Sequence, residues 1–173
     1  MFSFCGGILA VFIAATATRR FSMDPILGLV LGGMMVSTLF QSGTSTIKLL
    51  ADADNKLPQI TFWLMGSFNV MNKAKLFSIL IPVGAGFLIL FLVRWQLNVL
   101  SFGEDEASSL GIKTKRIRSM VIIASTLITA SCVSVCGMVG WVGLVIPHAG
   151  RALAGPDYRR LLPVCAILGS TFL

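Results

Sequence analysis

The sequence predicts an all-α fold, a polytopic transmembrane helical bundle. Of its 173 residues 55% are hydrophobic and only 12% are charged, about half the roughly 25% charged residues of a soluble domain. Long stretches such as Met1–Thr18 and Leu76–Val93 carry no charge and are about long enough to cross a bilayer. Gly and Pro recur inside the apolar stretch Val139–Pro163, a pattern that membrane helices tolerate because neighbouring helices pack closely against them.

The first two predicted spans are separated by a short charged turn. Arg19-Arg20 ends the first span, Met1–Thr18. Asp24 suits the N-cap position of a helix, and Pro25 suits its first turn. A second span is therefore predicted from Ile26 to about Gly43.

The least apolar part of the chain follows the second span. Thr44–Lys75 contains all four lysines outside the later basic cluster, and within it lies the aromatic cluster Phe62–Phe68. Aromatic residues beside polar ones are typical of the membrane–water interface. We interpret this segment as an external loop with a short interfacial helix; a plain connecting loop is the alternative.

Further spans are predicted in the second half. Leu76–Val93 forms the third span, with Arg94-Trp95 at its exit, and Ile117 to about Val139 forms the fourth. The apolar part of the next stretch, Trp141–Leu153, is short for a full crossing. It is either a tilted short helix or a partly re-entrant segment, and another span begins at Leu161. Because apolar runs lie at both ends of the sequence, we expect an internal piece of a longer membrane protein.

The basic residues predict the orientation. If the first span ends in the cytoplasm, ten of the 14 Lys and Arg residues fall on the inner side and four on the outer side, as the positive-inside rule favours. The net charge of +7 would indicate nucleic-acid binding in a soluble protein, but these residues end apolar runs and form no face, so no nucleic acid is predicted as a partner. The inner residues are Arg19, Arg20, Arg94, Lys113, Lys115, Arg116, Arg118, Arg151, Arg159 and Arg160; the outer ones are Lys48, Lys56, Lys73 and Lys75.

The polar segment 96–118 has an internal order that predicts a short helix. Gly103 precedes the three acids Glu104–Glu106, which suit a helix N-terminus. Ala107 and Leu110 would give a small apolar face, and Gly111 suits the left-handed position that ends a helix. A helix of about two turns lying along the membrane would make a docking site for a cytoplasmic partner. The alternative is a solvated loop with no docking role.

This segment resembles the cytoplasmic coupling segment of the iron-chelate and cobalamin ABC importer permeases. That family tends to have Leu-Asn, a few residues, Gly-Glu-Glu-x-Ala-x-x-Leu-Gly-Val and then basic residues. Asp105 and Ile112 are mild substitutions, and Glu106 stands at a usually apolar or variable position. The residues that match unchanged are Gly103, Glu104, Ala107, Leu110 and Gly111.

Two further stretches resemble the same family. Phe62–Ser67 is similar to a family Phe-Trp-Leu-Met-Gly-Ser motif. The other stretch follows the fourth span, where Trp141 replaces the usual Phe and Tyr158 the usual His. Its matching residues are Gly137, Gly140, Val142, Gly143, Leu144, Pro147, His148, Arg151, Gly155, Pro156, Asp157, Arg159, Arg160 and Leu161–Pro163.

The resemblance implies a transmembrane subunit of an ATP-driven importer for an iron chelate (siderophore), haem or cobalamin in the bacterial inner membrane. The complete permease would have about ten helices, as one domain, and 1–173 would be its middle part. It would pair with a second permease copy, cytoplasmic ABC ATPase subunits docked on Glu104–Leu110, and an extracytoplasmic substrate-binding protein. The chain itself would have no catalytic residues and bind no metal or cofactor, because ATP and Mg²⁺ would sit on the ATPase. Arg19, Arg20, Phe21 and Ser22 would lie near the cytoplasmic gate.

Several residues have competing interpretations. His148 could be a metal or haem ligand, but without a second histidine a structural residue bonded to a backbone carbonyl is favoured. Arg151 could contact substrate, but the favoured role is to satisfy carbonyls at a helix end. The four cysteines lack CxxC spacing and are interpreted as small hydrophobic residues.

Two other classes of function compete with the importer. A secondary transporter driven by an ion gradient would need an intramembrane acid or proton relay, and the predicted spans contain no Asp or Glu. An intramembrane enzyme would need paired catalytic groups in the spans, and the sequence provides no such pair.

Overall fold

The computed structural model describes residues 2–20, 25–52, 54–66, 72–138, 140 and 142–172. Within these residues the chain forms helices and no strands, which confirms the all-α prediction. The helices in chain order are α1 (Phe2–Arg20), α2 (Pro25–Leu50), α3 (Lys56–Met65), α4 (Lys73–Leu100), α5 (Glu104–Ser109), α6 (Thr114–Cys136), α7 (Val142–Ala154) and α8 (Tyr158–Phe172).

Three of the described helices are long and apolar enough to cross a membrane, namely Leu27–Leu50, Lys73–Leu100 and Thr114–Cys136. The chain is therefore a multi-pass membrane protein. Ser3–Ala17 and Val142–Ala154 are apolar but shorter. The 13 residues of α7 extend about 20 Å, less than the roughly 30 Å of a hydrocarbon core, as the sequence predicts for this stretch.

Helix α2 begins at Pro25 as predicted but ends at Leu50, beyond the predicted end near Gly43. The physical reason is that the polar residues here satisfy their own hydroxyl groups inside the helix, by bonding carbonyls one turn earlier. These bonds run from Ser42 to Thr38, Thr44 to Phe40, Ser45 to Gln41 and Thr46 to Ser42, at 2.8–3.0 Å.

The short helix predicted after α2 is present as α3, so the plain-loop alternative is excluded. The backbone amides of Lys56 and Leu57 donate to the Asp52 carbonyl at 3.2 and 3.0 Å, which starts the helix. Phe62 and Trp63 are exposed on it, as expected of interfacial aromatic residues.

Helix α4 also extends beyond the predicted span, because Arg94 does not end it. The Arg94 guanidinium stacks 3.9 Å from the centroid of the Phe91 ring on the same helix. The aromatic face and the long aliphatic stem accommodate the charge, and the helix continues to Leu100.

The chain divides into two compact units. The first unit comprises Met1–Lys75 and Thr129–Met138. In it α1 packs against α2, and a Cβ on Gly7 would lie 3.1 Å from the Ala130 Cβ. This close approach is the small-residue packing typical of membrane helices.

The second unit comprises Leu76–Ile128 and Val139–Leu173. At Gly86, α4 and the first part of α6 approach so closely that a Cβ would lie 2.9 Å from the Ala124 carbonyl oxygen. Helices α7 and α8 pack together as a hairpin. This second unit contains every residue of the candidate site except the predicted gate residues.

Candidate functional site: α5 and the corner between α7 and α8

Helix α5 begins at a backbone conformation that requires glycine. Gly103 has φ 132° and ψ 159°, a region occupied essentially by glycine alone. The Glu106 carboxylate folds back onto the position where a Cβ on residue 103 would stand. Glu106, which stands at a usually apolar or variable position of the family pattern, thus lies beside the glycine that starts the helix.

A complete Schellman motif ends α5. The backbone N–H of Gly111 donates to the Ser108 carbonyl at 2.9 Å, and that of Ile112 donates to the Ala107 carbonyl at 3.0 Å. Gly111 has φ +77°, the left-handed conformation that this motif needs. The predicted two-turn helix is therefore present, and this motif fixes its C-terminal end.

The two apolar residues of α5 differ in exposure. Ala107 is completely buried, whereas Leu110 is 70% exposed and Phe102, just before the helix, is 79% exposed. The predicted apolar face is thus buried only at Ala107, while the side chain of Leu110, the C-cap residue, stays exposed. The result is a buried anchor with two large apolar side chains directed outward. Asp105 is also exposed.

The corner between α7 and α8 stops one helix and starts the next within three residues. Gly155 has φ +78°, and its N–H donates to the Arg151 carbonyl at 3.0 Å, which ends α7 in the left-handed manner. Pro156 follows. Asp157 then caps α8, because its Oδ1 accepts the N–H of Arg159 at 2.9 Å.

Asn98, in the last turn of α4, joins this corner to the approach to α5. Its Nδ2 donates to Asp157 Oδ1 at 2.6 Å, and its Oδ1 accepts the backbone N–H of Tyr158 at 2.8 Å. We call these two bonds the Asn98 clamp. Sequence reasoning missed this contact between residues 59 positions apart. The available signal was that the Leu-Asn and Gly-Pro-Asp pieces both belong to the family motifs.

The electrostatics of the corner favour an ionised Asp157. The backbone hydrogen bond from Arg159 and then the side-chain hydrogen bond from Asn98 lower the pKa of Asp157, and the charges of Arg159 and Arg160 act in the same direction. Both arginines are exposed. The carboxylate is therefore held in the form that accepts hydrogen bonds best.

Arg151 bonds a side chain rather than the helix-end carbonyls expected from the sequence. Its Nη2 donates to the Tyr158 hydroxyl at 3.2 Å, and its guanidinium lies 6.0 Å from the ring centroid. Tyr158, which replaces the histidine usual in the family pattern, thus gives Arg151 both a hydroxyl acceptor and an aromatic face.

His148 is exposed on α7. Within the described part of the chain it makes no hydrogen bond, so the predicted carbonyl partner is not found there. The same described residues contain no group of three or more His, Cys, Asp or Glu side chains able to hold a metal ion.

Other glycine and proline residues of the motif that contains His148 lie just before α7 or within it. The Gly140 carbonyl accepts the Val142 N–H at 2.9 Å just before α7. Gly143 and Pro147 are exposed within α7. Gly150, also in α7, is buried, and a Cβ there would lie 2.6 Å from Cys165 Sγ.

The predicted gate residues lie apart from this site in the sequence. Arg19 and Arg20 are the last two residues of α1, whereas Phe21 and Ser22 lie outside the described residues. The cysteines are free thiols; Cys136 is buried, but Cys5 is exposed.

The geometry defines a multi-pass helical membrane protein with a capped, outward-facing short helix between two spans, and the comparisons with known proteins agree. The model of the FecCD transport family matches residues 1–173. The chain is 40% identical to the molybdate import system permease protein MolB of Haemophilus influenzae, over 89% of the chain and 46% of that protein. It is 33% identical to the cobalamin import system permease protein BtuC of Halobacterium salinarum, over 99% of the chain and 46% of that protein.

A solved structure has the same fold. It is described as an inward-facing conformation of a metal-chelate type ABC transporter, and it matches with a TM-score of 0.84 and 37% identity over 98% of the chain and 61% of that structure. The chain therefore belongs to the FecCD transport family, a family of transport permeases. It spans about half the length of the curated relatives it matches.

Proposed function

We propose that this chain is part of the membrane permease of an ATP-driven importer, and that α5 is the helix on which a cytoplasmic ATPase docks. The main observation that supports this proposal is the geometry of α5. A Schellman motif fixes its C-terminal end, and Ala107 anchors it while Leu110 and Phe102 are exposed. Large exposed apolar side chains on a fixed support are what a partner protein can bury.

The proposed cargo is a metal chelate or a related anion or cofactor. An iron chelate (siderophore), haem or cobalamin is the class that the family motifs imply. The solved neighbour is named for metal chelates and one relative for cobalamin, which supports this class. The relative named for molybdate adds a small oxyanion as a further candidate.

The proposed assembly has a second permease copy, ABC ATPase subunits that carry ATP and Mg²⁺, and an extracytoplasmic substrate-binding protein. Its proposed location is the bacterial inner membrane. The chain itself would perform no catalysis, bind no cofactor and bind no nucleic acid. The secondary-transporter alternative has no observation in its favour, because the three candidate spans contain no Asp or Glu.

Replacing Leu110 with Asp in the full-length protein tests this proposal. A carboxylate at the centre of an apolar contact has to be desolvated on docking, so co-purification of the ATPase encoded beside the permease should fall roughly tenfold or more. Leu110→Met keeps the apolar surface and is the matched control. Equal ATPase recovery from the Asp and Met variants, with equal membrane insertion, would rule out docking at α5.

A further inference from the structure

We propose that Asn98 is a positioning residue that passes motion of α5 to the first turn of α8. This inference rests on the proposed function, since it assigns a role to the clamp in the coupling of ATPase and permease. The side chain of Asn98 bonds Asp157 and Tyr158, and its carbonyl accepts the Ser101 hydroxyl. Asn98 would act through its hydrogen bonds, which connect it to the turn before α5 and to the start of α8.

On one side, Asn98 is connected to α5 by a turn that is hydrogen-bonded at each step. The backbone N–H of Ser101 donates to the Leu97 carbonyl at 3.1 Å, that of Phe102 to Val99 at 3.2 Å and that of Gly103 to Leu100 at 3.3 Å. The Ser101 hydroxyl also donates to the Asn98 carbonyl at 2.6 Å. The end of α4 therefore continues into α5 without a flexible linker.

On the other side, Asn98 engages the two residues that start α8. Its carboxamide oxygen accepts a hydrogen bond from the Tyr158 N–H, one of the four donors that a helix N-terminus leaves unpaired. Its amide group donates to Asp157 Oδ1, the same oxygen that accepts the Arg159 N–H. The first two amides of α8 are thus satisfied by a single connected network.

Beyond the corner, α8 is packed tightly against α7. A Cβ on Gly150 would lie 2.6 Å from Cys165 Sγ and 3.2 Å from Leu161 Cδ1. Closely packed helices transmit a displacement to one another, because a dense contact has low compressibility. A displacement of α5 that moves the end of α4 would therefore move the α7–α8 hairpin through the Asn98 clamp, a contiguous physical route of the kind that coupling requires.

Hydrogen exchange on the full-length protein, purified in nanodiscs with its ATPase, tests this role. Peptides covering 103–111 and 156–165 are compared without nucleotide and after trapping with ATP and vanadate. In the unmodified complex both segments should change on trapping. In Asn98→Ala, segment 103–111 should still respond, whereas segment 156–165 should exchange roughly two- to tenfold faster at rest and lose its response to nucleotide.

Two controls separate the clamp from general damage. Ser101→Ala removes a neighbouring side-chain bond but leaves both bonds of the clamp, so it should respond as the unmodified protein does. Asn98→Asp preserves the size of the side chain but places a second carboxylate beside Asp157. It should therefore lose the nucleotide response of segment 156–165, as Asn98→Ala does. This variant keeps the test valid if Asn98→Ala folds poorly.

The outcomes are distinct. If Asn98→Ala and Asn98→Asp retain the ATPase and the nucleotide response of segment 156–165, the clamp is not the link, and docking at α5 is unaffected. If the unmodified complex shows a response only in segment 103–111, the inference is likewise overturned. If no ATPase co-purifies with the unmodified protein, both the proposed function and this inference are wrong.

Discussion

At the scale of single residues, the start of α5 depends on the absence of a side chain at position 103. The backbone of Gly103 lies at φ 132° and ψ 159°, and the Glu106 carboxylate occupies the place of a Cβ. Glu106 is exposed and its carboxylate ends a flexible side chain that can move aside, so the backbone conformation is what restricts position 103.

Gly103→Ala should destabilise the segment around α5 by about 1–3 kcal/mol, the cost of holding a non-glycine residue in such a region. The expected result is a lower thermal midpoint of the purified full-length protein and weaker recovery of the ATPase. Gly84→Ala is the matched control, because a Cβ there meets no atom within 4 Å and alanine favours a helix. Equal midpoints for the two variants would show that Gly103 is not strained.

Asp157 gives the corner a defined pH dependence. Hydrogen bonds from the Arg159 N–H and Asn98 lower its pKa in the folded protein. Its contribution is therefore fully present above the ordinary Asp pKa of about 3.9 and is lost as the pH falls through the lowered folded value.

Protection of segment 156–165 against hydrogen exchange should accordingly stay constant from neutral pH to about 4 and decline below it. Asp157→Asn keeps the hydrogen-bond acceptor without a titrating group, and the ratio of the two exchange rates at each pH cancels the intrinsic effect of acid on exchange. A ratio that stays constant down to pH 3 would show that ionisation of Asp157 does not hold the corner.

At the scale of helices, the contact between α7 and α8 is set by Gly150. Its absent side chain lets Cys165 Sγ and Leu161 Cδ1 approach the α7 backbone. Cys165 Sγ also lies 3.9 Å from the Ile146 carbonyl oxygen. The close approach of α7 and α8 thus depends on two small residues that face each other, Gly150 and Cys165.

Gly150→Ala should cost about 1–3 kcal/mol by overpacking this contact. Cys165→Ala, which removes the nearest atom, should restore much of that stability when combined with Gly150→Ala. The measurement is the thermal midpoint of the full-length protein for the two single variants and the double variant. Gly143→Ala is the control in the same helix, since a Cβ there meets no atom within 4 Å. Strictly additive effects of the two substitutions would show that no clash exists.

The helices also show what local sequence could and could not predict. The existence and both ends of α5 followed from Gly103, the acidic triplet and Gly111, because caps are local chemistry. The end of α2 was misplaced, because the Ser and Thr residues after Gly43 resemble a loop in composition but bond carbonyls within the helix. The end of α4 was misplaced for a similar reason, since Arg94 rests on Phe91.

The candidate site was predictable in its parts but not in its connection. Gly155 and Asp157 are residue types that commonly end and start helices. The bond between Asn98 and Asp157, however, joins residues far apart in the sequence, and no local pattern determines which polar groups meet across two helices. The opposite exposures of Ala107 and Leu110 likewise depend on packing, which residue spacing alone does not specify.

At the scale of the whole molecule, the docking proposal requires α5 to lie on the cytoplasmic side. The positive-inside count favours this orientation, with ten basic residues on that side and four on the other. The Asn98 clamp adds that the corner between α7 and α8 lies on the same side of the membrane as the end of α4.

Cysteine labelling in intact cells measures the orientation directly. In the full-length protein without native cysteines, Asn55→Cys just before α3 and Ser109→Cys in α5 each place one thiol at an exposed position. An impermeant maleimide should label position 55 from outside and position 109 only after the cells are permeabilised, because α4 separates the two positions and is long and apolar enough to cross the bilayer. Labelling of position 109 in intact cells would place α5 outside, where no ATPase could reach it, and would contradict the docking proposal whatever the family resemblance.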